Sequence, residues 1–259
     1  MDLSPKKMSM IESSLANSIP GQSVDCVIIR YKDRALQVLL LKLKNTELWT
    51  LPGGFIFKNE DIDDAAKRVV EERVGIKSIF LNQFYTFGKY NRRNIEQLMQ
   101  LFDKMEMKKP FIMHWFTQRF ITTAYLALVN TSKAILPQTE FLSSKCEWVP
   151  ISDLPEFAFD HHKIIRKAHE HLRIQINYLP IGLNLLDETF TMKELKNLYE
   201  AILGVNLDRG NFQRKILKLN ILIRLDKKFT GGAHKAPYLY RFDKKRYAEL
   251  NRKGIGFIR

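Results

Sequence analysis

Apolar side chains concentrate in two stretches near the start of the chain, residues 24–30 and 36–44. Both are rich in β-branched and aliphatic residues and are split by a short polar segment. That pattern predicts a pair of strands. WTLPGG follows, where Pro52, Gly53 and Gly54 mark a turn. From Asp61 to Val74 the apolar positions Ile62, Ala65, Ala66, Val69, Val70 and Val74 recur at helical spacing. Asp61 is placed to cap this helix, Asp63 and Asp64 suit its positive start, and Gly75 suits its end. Residues 79–88, 118–130 and CEWVPI read as further strands, and Asp160 caps a helix running to residue 176. Strands around a capped helix indicate an α/β domain over residues 21–178, behind a polar, Ser-rich tail of residues 1–20.

The pattern changes after Pro180. Thr191 with Glu194 three residues later is a capping box, and the helix it opens carries Leu195, Leu198, Tyr199, Ile202 and Leu203 before Gly204 ends it. Asp208 caps a second helix with Phe212, Ile216 and Leu219 on one stripe. Two short strands follow, 221–225 and 237–242, joined by the basic, glycine-tipped DKKFTGGAHKA. Helix, helix and hairpin is the order of a winged helix–turn–helix, here over residues 179–259.

Charge adds a function class. The chain carries a formal net charge of +14, and the segment from Pro180 onward holds 17 Lys/Arg against 8 Asp/Glu. Such an excess suits a polyanionic partner. No run reaches the ~18–20 apolar residues of a membrane span, and the N-terminus lacks the apolar core of a signal peptide. Cys26 and Cys146 are too few for a disulfide framework and read as reduced core residues of a cytoplasmic protein.

Residues Gly54 to Ile76 resemble the Nudix box, G-x5-E-x7-R-E-U-x-E-E-x-G-U with U apolar. Gly54, Glu60, Arg68, Val70, Glu72, Gly75 and Ile76 fall in register, and LPGGF precedes them. The resemblance implies a Nudix-type α/β/α sandwich. In that pattern three glutamates at i, i+3 and i+4 share one helix face and hold divalent cations that help water attack a pyrophosphate. Here those positions are Val69, Glu72 and Arg73. A formal −3 face has become 0, so the box is degenerate and no catalytic residue, metal or cofactor is assigned. A degenerate Nudix domain followed by a basic winged helix resembles the Nudix-related bacterial transcriptional regulators, which include repressors of NAD metabolism and regulators of arabinose utilisation. TFGKYNR, FDHHKII, PIGLNLL and LDRGNFQRKI also carry the likeness. The resemblance implies an effector-sensing Nudix pocket, a winged helix that reads operator DNA, and a homodimer matching a two-fold site. One departure stands out: residues 92–117 are an insertion where other members have a short Arg-Asp-Pro loop.

On the helix opened by Asp208, Arg209, Asn211 and Gln213 are assigned to base edges. Arg214, Lys215 and Lys218 are assigned to phosphates. Lys228, His234 and Lys235 of the wing are placed to reach backbone or minor groove. For the effector, the resemblance puts Arg119 at the start of a pocket-facing strand, as a partner for phosphate or sugar hydroxyl; a surface ion pair is the alternative. Lys89 and Trp115 join it as ligand-binding candidates. In the insertion, Ile95, Leu98, Met99, Phe102 and Met105 suggest a short amphipathic helix, and His114-Trp115-Phe116 an aromatic patch that either stacks a ring or packs the core. His161, His162, His169 and His171 share one helix but offer no i, i+4 ligand pair. The expected effector is a sugar, a sugar phosphate or an ADP-ribose-like molecule, with the sugar ranked first because of the insertion. The competing readings are a metal-dependent hydrolase of ADP-ribose or a related nucleoside diphosphate, and a nucleotide-binding adaptor that never touches DNA.

Overall fold

The structure is a computed structural model, and it describes residues 5–77, 79–92, 95–105, 107, 109–130, 142–176, 181–228 and 236–253. The chain divides into two compact units. One comprises residues 1–29, 37–127 and 135–168; the other comprises 30–36, 128–134 and 169–259. The second unit thus reaches further back than the expected boundary near residue 178. Local contacts explain this: His169 Nε2 lies 2.9 Å from the Ile202 carbonyl, and the Asn130 side-chain amide donates to the Leu186 carbonyl.

The first unit opens with α1 (Pro5–Asn17), β1 (Ser18–Lys32), β2 (Ala35–Leu43), β3 (Trp49–Thr50) and β4 (Gly53–Phe57). It continues through α2 (Ile62–Val74), β5 (Asn82–Phe87), α3 (Ile95–Lys104), α4 (Pro110–Thr117), β6 (Ile121–Val129), β7 (Ser143–Pro150) and α5 (His161–Gln175), whose last turns belong to the second unit. The sheet order is β3-β2-β1-β6-β5, with β4 paired to β1 and β7 to β2. This is a mixed α/β arrangement, as the resemblance implies. On α2 the predicted apolar face is buried through Ala65, Ala66, Val69, Val70 and Val74. Gly75 ends the helix at φ 71°, a left-handed conformation that costs a residue without Cβ nothing. Asp61 holds the N-cap position, yet its side chain makes no capping hydrogen bond.

The expected tail is a correction. Residues 5–17 form a helix, because Met8, Ile11 and Leu15 are spaced three and four apart and share a buried face. Their partners come from the insertion: Leu98, Phe102, Ile112 and Trp115 join them in one hydrophobic cluster. An ion pair between Lys109 and Glu12 at 2.8 Å sits over it. The insertion is two helices rather than one, the aromatic segment around Trp115 forming α4.

The second unit holds β8 (Phe190–Thr191), α6 (Met192–Leu203), α7 (Arg209–Lys218), β9 (Leu222–Lys227), β10 (Tyr238–Phe242) and α8 (Lys244–Lys253). The capping box is complete: Thr191 Oγ1 accepts the Glu194 amide, and Glu194 accepts the Thr191 amide at 2.6 Å. Tyr199 on α6 meets Phe212 on α7 edge-on at 5.2 Å. The three strands order as β8-β10-β9, and Phe242 packs on Phe190 and Tyr247. The terminal helix α8 was not foreseen; Asp243 Oδ1 caps it by accepting the Lys245 and Arg246 amides.

Leu15 is 2% exposed, so Leu15→Ala should cost ~2–5 kcal/mol by urea denaturation. Ser13→Ala, on the exposed face of α1, should stay within about 0.5 kcal/mol.

Candidate functional site

In the first unit, β4 and α2 are locked by one side chain. Arg68 Nε and Nη2 donate to the two carboxylate oxygens of Glu60 at 2.8 and 2.6 Å. Nη2 also reaches the Phe55 carbonyl at 2.8 Å, and Nη1 reaches Glu72 at 3.0 Å. The guanidinium lies 3.8 Å from the Phe57 ring centroid. The Phe57 amide donates to Glu60 as well. The hydrogen bonds from Arg68, and next that amide, hold the Glu60 carboxyl below its ordinary range against burial, which acts the other way.

This lock fixes the three helix positions that the Nudix pattern gives to metal ligands. Val69 is buried and packs under Gly54, where an added Cβ would lie 2.7 Å from Val69 Cγ2. Glu72 is tied to Arg68. Arg73 Nε donates to the Gly53 carbonyl at 3.0 Å. Burial pushes the Arg73 guanidinium down to about 10, so it stays cationic at neutral pH. A valine, an ion-paired glutamate and a cation do not fit a divalent ion that wants about six oxygen ligands.

Next to this face lies a cavity of about 160 Å³. Its polar wall includes Asp25, Arg73, Arg92, Asp160 and His161, and its apolar wall includes Phe55, Phe102, Met105, Met107, Phe116 and Phe120. Arg92 grips Asp160 with two bonds, 3.1 and 2.8 Å, each side chain only 8% exposed. Asp160, expected as a helix cap, directly precedes α5 and accepts from Arg92 through both carboxylate oxygens. His161 Nδ1 accepts the Leu51 amide at 2.9 Å. The neutral ring therefore carries its proton on Nε2, 3.5 Å from Asp25 Oδ1. An added Cβ at Gly53 would meet the Asp25 carboxylate and lie 3.2 Å from the Val24 carbonyl, so a larger residue there requires Asp25 to shift.

The sequence-predicted ligand residues lie elsewhere in the unit. Trp115 is 6% exposed, packed edge-on against Phe55 at 5.7 Å, with its Nε1 unpartnered among the described residues. Arg119 is exposed, bonded to the Gly88 carbonyl at 2.9 Å and set over the Tyr90 ring. Lys89 is exposed. None of the three lines the cavity. The insertion does, through Phe102, Met105, Met107 and Phe116. Sequence reasoning missed Asp25, Arg92, Asp160 and His161 as cavity residues. The one available signal was Asp25, a lone charge inside an apolar run.

The second unit presents α7. Phe212 and Ile216 are buried, while Arg209, Asn211, Arg214, Lys215 and Lys218 are exposed and Gln213 is partly so. Asp208 Oδ1 accepts the Asn211 amide at 2.8 Å, as a cap should. Asn211 Oδ1 accepts from Arg214 Nη2 at 2.8 Å. On the hairpin, Lys228 is exposed and its amide donates to the Pro237 carbonyl. His234 and Lys235 lie outside the described residues.

Comparison with known proteins follows the same division. Residues 20–168 match the NUDIX domain family, and residues 182–242 match the NrtR DNA-binding winged helix domain. Over 230 residues the chain is 30% identical to the ADPR responsive transcriptional repressor NtrR of Acinetobacter baylyi, spanning 86% of this chain and 82% of that protein. The chain belongs to the NrtR-type Nudix-related transcriptional regulators. The crystal structure of Shewanella oneidensis NrtR is similar at a TM-score of 0.66 and 26% identity, covering 88% of this chain and 96% of that one. The structure of the same Shewanella protein complexed with a 27mer DNA gives 0.63 at 24% identity, over 88% and 95%. Among the described residues, no helix is long and apolar enough to cross a membrane.

Proposed function

We propose that this chain is an ADP-ribose-responsive, DNA-binding transcriptional repressor that acts in the cytoplasm as a homodimer. The observation that carries the reading is the match along both units to one repressor named for its response to ADP-ribose. That relative reverses the ranking by which the insertion favoured a simple sugar. The cavity supports a mixed ligand: an aromatic wall suits a base, and buried Asp25 suits hydroxyl donors. At about 160 Å³ it falls below the ~300 Å³ lower end of full ligand pockets. It therefore encloses only part of ADP-ribose.

In this account α7 enters the major groove. Asn211 and Gln213 read bases, helped by Arg209, while Arg214, Lys215, Lys218 and the wing residues Lys228, His234 and Lys235 hold phosphates. Effector binding biases the placement of paired α7 helices and so changes operator affinity. With Val69 and Arg73 in ligand positions, the Nudix unit senses and does not hydrolyse.

Fluorescence anisotropy on duplexes from the protein's own promoter region, against a scrambled duplex, tests the DNA half. Preference for the promoter duplex is expected, altered by ADP-ribose. Asn211→Ala should lose ~1–3 kcal/mol on the preferred site and much less on the scrambled one. Lys218→Ala should weaken both alike and flatten the salt slope by about one unit. Equal binding to both duplexes, with and without ADP-ribose, defeats the regulator reading.

ADP-ribose incubated with the protein and Mg²⁺ or Mn²⁺ should be recovered intact. Turnover in the ordinary enzyme range of roughly 1–1000 s⁻¹, lost in Glu72→Gln, would restore the hydrolase reading.

A further inference from the structure

The α2 face that a Nudix hydrolase uses for metal has lost its net negative charge, and the change reaches the cavity. Three carboxylates and a diphosphate repel one another, so such a face accepts a diphosphate only with divalent cations between them. Here Val69 is neutral, Glu72 is engaged by Arg68, and Arg73 lines the cavity. We propose that Arg73 takes the place of the metal, its guanidinium meeting the effector's diphosphate directly, so that effector binding needs no divalent ion. The inference rests on the ADP-ribose reading above and names the group that recognises its charged centre.

The geometry supports it in two ways. The bond from Nε to the Gly53 carbonyl orients the guanidinium at the rim formed by Gly53 and Gly54, both in the cavity wall. A planar guanidinium matches phosphate oxygens in pairs. Asp25 also lines the cavity, but as an acceptor it suits hydroxyls rather than phosphate.

The test is calorimetric titration of the full-length protein with ADP-ribose and with adenosine, which lacks the diphosphate, in EDTA and in Mg²⁺. ADP-ribose should bind with the same affinity in both buffers. Arg73→Gln should weaken it by at least about tenfold, the worth of one charge-assisted hydrogen bond, and Arg73→Lys by less. Adenosine should be indifferent to either substitution. ADP-ribose binding that requires Mg²⁺, an Arg73→Gln variant that binds like wild type, or an equal loss for adenosine would each overturn the proposal while leaving ADP-ribose as the effector. The EDTA comparison uses the unaltered chain, so it stands even where a variant fails to fold. Absence of ADP-ribose binding in both buffers would overturn the effector reading together with the proposal.

Discussion

The ion pair between Arg68 and Glu60 is the interaction on which the first unit depends. It ties the loop after β4 to the middle of α2 and holds the Phe55 carbonyl in the same grip. Both side chains are largely shielded from water, 23% and 15% exposed, so the pair escapes most of the screening that weakens surface bridges. Removing one partner would leave a poorly solvated charge, the costly case. With loop and helix in fixed register, Val69 falls under Gly54 and Arg73 falls against the Gly53 carbonyl. A frame that hydrolases use to array carboxylates here arrays a hydrophobe and a cation.

The same frame separates what keeps the fold from what would carry chemistry. Fold is kept by Gly54, Glu60, Arg68 and Gly75, whose roles are steric and structural. Chemistry would rest on positions 69, 72 and 73, where a valine and an arginine replace two carboxylates and the remaining Glu72 is paired with Arg68. Function therefore follows the site rather than the fold.

Much of the architecture was legible in the sequence because its signals are local. The α2 stripe, the Thr191–Glu194 capping box, Gly75 and Gly204 each sit within a few residues of what they control. Helix α1 was obscured by its serines, and its burial depends on an insertion far along the chain. The box itself is contiguous and could be read directly. The cavity could not: Arg92 and Asp160 meet across 68 residues, and nothing near either one announces the other. Trp115 shows the converse limit. An aromatic residue in an apolar stretch reads the same whether it faces a ligand or a core, and only the packing of α4 against α1 decides.

The central claim is that a ligand in the Nudix unit and DNA on the winged helix share one equilibrium. Linkage requires the effect to be mutual. The direct measurement is titration of ADP-ribose into the full-length protein, alone and saturated with its preferred duplex. ADP-ribose affinity should change on DNA binding by the same factor, and in the same direction, as ADP-ribose changes affinity for that duplex. Identical ADP-ribose affinity with and without DNA would contradict the account.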